Sequence, residues 1–216
     1  MGNFNNQGKD REKSLPRNFY FSDGYFELAQ LFSLSHQINE IHKLKPASIL
    51  EIGIGNGFTS SFLRRAGYRV TTVDINPDLE PDICAPLDQV GSIIGDDRVD
   101  LVVCCEVLEH MPLQEFIPSL DHLAKFGKRL FLTLPNYKAS IGIGGLLRIP
   151  KTGARPFDWT IDIPRRKKLA AEHFWEVGSE DRSSLKAIAS ELNKKYASVE
   201  VKKLPLNPYH IAFICN

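Results

Sequence analysis

The sequence has little of what marks a secreted, zinc-clustered, membrane-spanning or nucleic-acid-binding chain. Only four cysteines occur in 216 residues. They are Cys84, Cys104, Cys105 and Cys215, three of them inside apolar runs and none in a C-x-x-C spacing. That pattern argues against a disulfide framework or a zinc knuckle, and for reduced, buried thiols in a cytoplasmic protein. No metal site is expected. No run approaches the ~18 apolar residues of a membrane span. Neither charge prevails, since 27 Lys and Arg stand against 26 Asp and Glu. Bulk attraction to nucleic acid or to an anionic surface is therefore not expected. Internal repeats, low-complexity tracts and signs of a second domain are missing too. The polar stretch from Met1 to Asn18 lacks the apolar core of a signal peptide. It reads as a flexible tail, leaving residues 19–216 as one domain.

What is present alternates. Leu28, Leu31, Ile38 and Ile41 fall on one face of a helix expected from about Asp23 to Leu44, ended by Pro46. A strand follows over Ser48–Ile52, then a Gly-rich turn and a short helix from Phe58 to Ala66. Tyr68–Val73 is β-branched and reads as a second strand. Asp82–Cys84 is a weak third, followed by a helix over Leu87–Ile94. Val99–Val103 is a continuous apolar run, as in a central parallel strand. Leu113, Phe116, Ile117, Leu120 and Leu123 form a helical stripe closed by Gly127. Arg129–Leu134 is the fifth strand, ended by Pro135. From Asn136 to about Ser179 the pattern dissolves; this stretch (136–180) reads as an insertion capping a site. A helix marked by Leu185, Ile188 and Leu192 and a terminal hairpin over Ser198–Leu204 and His210–Cys215 complete the chain. Strands alternating with helices imply an α/β fold, with an open and mostly parallel sheet covered on both faces. Such sheets bind ligands at the carboxyl ends of their strands.

The segment Glu51-Ile52-Gly53-Ile54-Gly55-Asn56-Gly57 sits between a strand and a helix. Glycines there permit a tight turn and let a ligand touch backbone. The dinucleotide fingerprint is G-x-G-x-x-G. Here the third glycine comes one residue early and Phe58 takes its place, which counts against NAD. Asp74 ends the second strand about 20 residues further on, where a carboxylate accepts both hydrogen bonds of a ribose diol. Loop and acid together specify a nucleoside ligand; the bland reading of Asp74 is a turn cap before Asn76-Pro77.

Ile49–Gly57 resembles the first motif, E/D-x-G-x-G-x-G, of class I S-adenosylmethionine-dependent methyltransferases, particularly the small-molecule branch that includes quinone-biosynthesis enzymes. Val73-Asp74-Ile75 resembles that family's ribose-binding strand end. Asp100–Pro112, ending Glu109-His110-Met111-Pro112, resembles its fourth motif. Leu132–Asn136 is similar to its fifth strand and exit. The resemblance implies a Rossmann-like doubly wound seven-stranded sheet of order 3-2-1-4-5-7-6 with the last strand antiparallel. It also implies S-adenosylmethionine as cofactor and a small-molecule substrate. Gly53, Gly55 and Gly57 would form the cofactor loop, with Glu51 anchoring it or reaching the methionine amine through water. Asp74 would hold the ribose, Ile75 would pack on adenine, and Asp82 and Ile83 would contact adenine. Glu106 would line the methionine end.

Methyl transfer from a sulfonium is an in-line displacement, and an oxygen nucleophile also needs a base. His110, His173 and His210 are the candidates, with Tyr209 and Glu176 behind them. Each also admits a purely structural role. Arg165-Arg166-Lys167-Lys168 reads as a phosphate contact or a solvated loop face. Phe157, Trp159, Phe174 and Trp175 read as substrate-pocket lining or packing. The competing functions are a noncatalytic cofactor- or partner-binding protein, a nicotinamide-dependent oxidoreductase and a macromolecule-modifying methyltransferase. The near-neutral charge and the missing N-P-P-Y-type motif oppose the last. Monomer and homodimer both remain open.

Overall fold

The computed structural model describes residues 4–150, 153–166, 168–204 and 206–216. The strands are β1 (Ile49–Ile52), β2 (Val70–Asp74), β3 (Ile83–Cys84), β4 (Val99–Cys105), β5 (Gly127–Pro135), β6 (Lys138–Ile149), β7 (Gly153–Arg166), β8 (Val199–Lys203) and β9 (His210–Cys215). The helices are α1 (Phe4–Ser14), α2 (Leu28–Leu44), α3 (Phe58–Arg65), α4 (Leu87–Ile94), α5 (Phe116–Phe126) and α6 (Leu185–Asn193). Seven strands form one sheet in the order β3-β2-β1-β4-β5-β9-β8. The first five are parallel, and β9 runs antiparallel to both its neighbours. This is the expected order, the expected sixth and seventh strands being β8 and β9.

Register decides where a site can form. Ile52 lies level with Val73 on one side and Cys104 on the other, and Cys104 in turn with Leu132. The residues just beyond, Gly53, Asp74 and Cys105–Glu106, are therefore delivered to one edge of the sheet, as open α/β sheets require of a ligand crevice. Beneath that edge the strands are buried on both faces. Leu50, Val102, Leu130 and Phe213 pack with α5 and α6, while Ile49, Leu101, Phe131 and Ile214 pack against Ile41 and Leu63 on the opposite side.

Several expectations need correction. The helix expected from Asp23 begins at Leu28, after two short 3-10 turns at Arg17–Phe21 and Asp23–Phe26. Its buried face is also rotated: Ser33, Leu34, Gln37, Glu40 and Ile41 are inside, while Leu28 is 70% exposed. Polar groups are tolerated there because they are bonded: Ser33 to Asn207 and His210, Gln37 to Thr59, Glu40 to Lys43 and Lys202. The segment read as a tail contains α1. Helix α1 packs so closely at Gly8 that a Cβ there would collide with the His110 carbonyl.

The stretch 136–180, read as irregular, holds the ribbon β6–β7. Paired positions share a face, so Ile141, Ile143, Leu147, Ile149, Phe157, Trp159 and Ile161 lie together, all exposed. The opposite face meets the body through Leu206 against Gly144 and the Lys203–Asp162 ion pair. Phe157 and Trp159 thus lie on the outward face of the ribbon. Of the basic run, Lys168 is exposed, while Lys167 and the side chains of Arg165 and Arg166 lie outside the described residues. Among the described residues, no helix is long and apolar enough to cross a membrane.

Trp175, a candidate for pocket lining, is core. It is 1% exposed, stacks edge-on to Phe116 at 5.2 Å and donates from its indole nitrogen to the Met111 carbonyl at 3.1 Å. Deleting so large a buried side chain costs about 3–5 kcal/mol. Trp175→Ala is predicted to lose that much in urea denaturation, whereas Trp159→Ala changes stability by less than about 0.5 kcal/mol. Equal losses would contradict this assignment.

Candidate active site

At the carboxyl edge of the parallel strands lies a cavity of about 510 Å³, within the range of small-molecule sites. One end is built by the glycine loop. Gly53, Gly55 and Gly57 have φ of 79°, 52° and 70°, left-handed values that side chains resist. A Cβ at Gly53 would collide with Val107. Gly53 and Gly55 line the cavity; Gly57 does not, and serves instead as the N-cap of α3.

The Asp74 carboxylate accepts from the Ile54 amide at 2.9 Å and the Asn76 amide at 2.8 Å. The turn-cap reading is thus met, and Asp74 also lines the cavity. Burial raises its pKa, and the backbone bonds from Asn76 and Ile54 oppose that rise. Ile75 lines the wall, which continues through Ala85, Pro86 and Leu87. Asp82 and Ile83, expected at the adenine, do not line the cavity. Asp82 is occupied elsewhere, accepting from the Thr72 amide at 2.7 Å and pairing with Arg64.

Glu51 is 6% exposed, and burial pushes its carboxyl up to about 8. Glu106 follows β4 at a φ of 55°, a conformation costly for a non-glycine residue. Its Oε2 lies 3.2 Å from His210 Nε2, and its carboxyl is hydrogen-bonded to that of Glu109.

The three candidate histidines all line the cavity. His110 and His173 meet edge to face with ring centroids 5.0 Å apart. His173 Nδ1 is 3.0 Å from Glu176 Oε1, which also accepts from the Tyr209 hydroxyl at 2.9 Å. His110 Nδ1 is 3.2 Å from the Glu172 carbonyl, and burial lowers its pKa. His210 sits apart from that pair, its Nδ1 2.9 Å from Ser33 Oγ. Beside them Glu109 is wholly buried, its pKa raised well above the carboxylate range first by burial and then by Glu106.

Sequence reasoning missed the roof. It is formed by Gly8, Lys9, Arg11 and Glu12 of α1 with Phe19, Tyr20 and Tyr25 of the turns that follow; among the described residues of 136–180, Glu172 and His173 line the cavity. Glu109 was legible only as part of a motif. The cavity thus has a backbone-rich end beside Asp74 and a histidine–carboxylate end, joined along Glu106.

A family model described as a methyltransferase domain matches residues 26–175. Among curated proteins, the chain is similar to the "Ubiquinone biosynthesis O-methyltransferase" of Xylella fastidiosa (strain M23), at 26% identity over 189 residues covering 74% of this chain and 76% of that one. A protein of the same description from Xanthomonas oryzae pv. oryzae (strain PXO99A) is 27% identical over 158 residues, 62% of this chain and 63% of that one. Among solved structures, the magnesium protoporphyrin IX methyltransferase of Synechocystis PCC 6803 with bound SAM aligns with a TM-score of 0.55 at 18% identity, covering 98% of this chain and 91% of that one. At that identity the likeness is one of fold.

Glu51 yields a pH prediction. Its carboxyl moves from 4.5 to about 8 on folding. Between those values the folded chain keeps a proton that the unfolded chain has lost, so stability falls as pH rises through that window. Glu51→Gln removes this dependence. Without added ligand, its Tm relative to the parent is expected to rise from pH 4.5 to 8; a constant difference would refute the assignment.

Proposed function

The chain belongs to the methyltransferase-domain family, and we propose that it moves a methyl group from S-adenosylmethionine to a hydroxyl oxygen of a small organic acceptor. The observation that carries this reading is the two-ended cavity, with a nucleoside cradle at one end and a histidine–carboxylate cluster at the other.

The cradle fits the cofactor. Asp74 has free lone pairs for a ribose diol, and the loop at Gly53 and Gly55 lets a ligand approach backbone. Glu51 and Glu106 line the cavity beyond the loop, where their carboxyl oxygens can accept from the methionine ammonium. When bound, S-adenosylmethionine supplies an activated methyl carbon whose bond to sulfur breaks as the bond to oxygen forms, the electron pair returning to sulfur. The protein's work is alignment and exclusion of water. The α1 roof and the aromatic turn residues Phe19, Tyr20 and Tyr25 provide a shield from solvent.

Choice of acceptor atom follows from the cluster. A thiolate or free amine needs little activation, whereas a hydroxyl must lose its proton to attack. His110 and His173, backed by Glu172 and Glu176, are the groups placed to activate it, and His210 with Glu106 forms a second proton-holding pair on the same wall. The curated relatives are O-methyltransferases of ubiquinone biosynthesis, which supports oxygen as the acceptor atom and a quinone-related phenol as the class. The competing functions lose support here. The loop spacing and Phe58 oppose a nicotinamide ligand, and the convergence of three histidines on one cavity favours catalysis over mere binding.

Calorimetric titration is expected to give micromolar binding of S-adenosylmethionine and its demethylated product, and none of NAD. Asp74→Ala should abolish it. With labelled methyl donor and a panel of catechols and phenols, His173→Ala should lower kcat about 10²-fold or more while cofactor affinity stays within about twofold. Tight NAD binding with no response to the methionine cofactors would overturn the reading.

A further inference from the structure

We propose that the outward face of the β6–β7 ribbon is the two-fold interface of a homodimer, apolar face packed on apolar face. On that face Ile141 stands beside Ile161, Ile143 beside Trp159 and Gly145 beside Phe157, with Leu147 and Ile149 continuing toward the turn. The large side chains among them are each between 42% and 56% exposed. Together they present roughly 700 Å² per copy, more than a monomer ordinarily leaves bare and close to the ~800 Å² per partner of a standard interface.

Three observations point to a second copy as the occupant. First, the ribbon has no second layer. Its strands of 12 and 14 residues run for about 40 Å, and a two-stranded ribbon is marginal in water until its apolar face is covered. The chain's own body cannot supply that cover, because it already holds the other face: Asp162 pairs with Lys203 at 2.6 Å, and Gly144 lies against Leu206. Second, the outward face is flat. A Cβ at Gly145 would collide with the Phe157 ring, so the ring lies across the glycine. Flat sheet faces pack on one another at about 10 Å, whereas a lipid surface makes no demand on shape. Third, charge is kept to one end. Among the described positions that share this face, Arg155 near the turn is the charged one, and Asp158 and Asp162 fall on the opposite face. Antiparallel packing about a two-fold axis near Ile143 and Trp159 keeps the two Arg155 side chains apart. The base of the ribbon is continuous with the segment carrying Glu172 and His173, so an ordered ribbon steadies that wall of the cavity.

The test is the mass of the purified full chain by analytical ultracentrifugation at micromolar concentration. About twice the 24.3 kDa of one chain is expected. Ile143→Asp, at an exposed position, should give a monomer that circular dichroism shows to be folded. Trp159→Ala should weaken association about 30-fold or more. In dilute solution, where the chains are apart, its urea midpoint should match the parent's. Leu28→Asp, at an exposed apolar position of α2, should dimerise as the parent does. A parent chain of single-chain mass overturns the proposal, and its binding to vesicles of anionic phospholipid would make a lipid surface the occupant instead. A dimer that persists in Ile143→Asp, or is lost in folded Leu28→Asp, overturns it too, because the interface then lies elsewhere. None of these outcomes bears on cofactor binding, so the methyl-transfer reading stands apart from them.

Discussion

Two backbone amides, of Ile54 and Asn76, converge on the carboxylate of Asp74, and the donor half of the site hangs on that junction. The bonds tie the glycine loop after β1 to the turn after β2. They also compensate a carboxylate that burial would otherwise drive towards neutrality. Sheet register brings the pieces together; the carboxylate locks them. In the proposed reading the same side chain that ties the loop together also meets the ribose diol.

The opposite half depends on contacts far apart in sequence. Glu109 and His110 follow β4, while His173 and Glu176 arrive from beyond the ribbon, pinned by the Phe174 amide and by Trp175. Helix α1 then closes the top, touching His110 through Gly8. The result is a cavity whose glycine-loop end is set by local turn geometry and whose histidine end is set by tertiary packing.

The same division explains what was legible in the sequence. Gly53, Gly55, Asp74 and Glu106 could be placed because strand ends and left-handed glycines leave local signatures. The order of the seven-stranded sheet followed from strands alternating with helices and from the family resemblance. Asp82 lies off the cavity wall, paired with Arg64, and an acid beside a two-residue strand carries no sign of that partner. Gly57 lies at the start of α3 and off the cavity wall, a distinction its place in the loop does not signal. Helix α1 has too few apolar residues to announce itself, and it is held by its fit against His110 and Phe174. The ribbon does carry a signal. Ile141 and Ile143 on one strand, and Phe157, Trp159 and Ile161 on the other, show the period of two that marks a strand face. Its glycines and prolines hide that alternation. The histidine convergence could not be read from sequence, since His110 and the Glu172 carbonyl are 62 residues apart.

The central claim is that one cavity holds the cofactor in a fixed direction, ribose on Asp74 and sulfur toward the histidine cluster. A crystal structure with S-adenosylhomocysteine tests it most directly. The account predicts both ribose hydroxyls within hydrogen-bond distance of the Asp74 carboxylate, the adenine against Ile75 and Ala85–Leu87, and the sulfur facing Glu106 and His173. A ligand bound in the reverse direction, or outside this cavity, would contradict it.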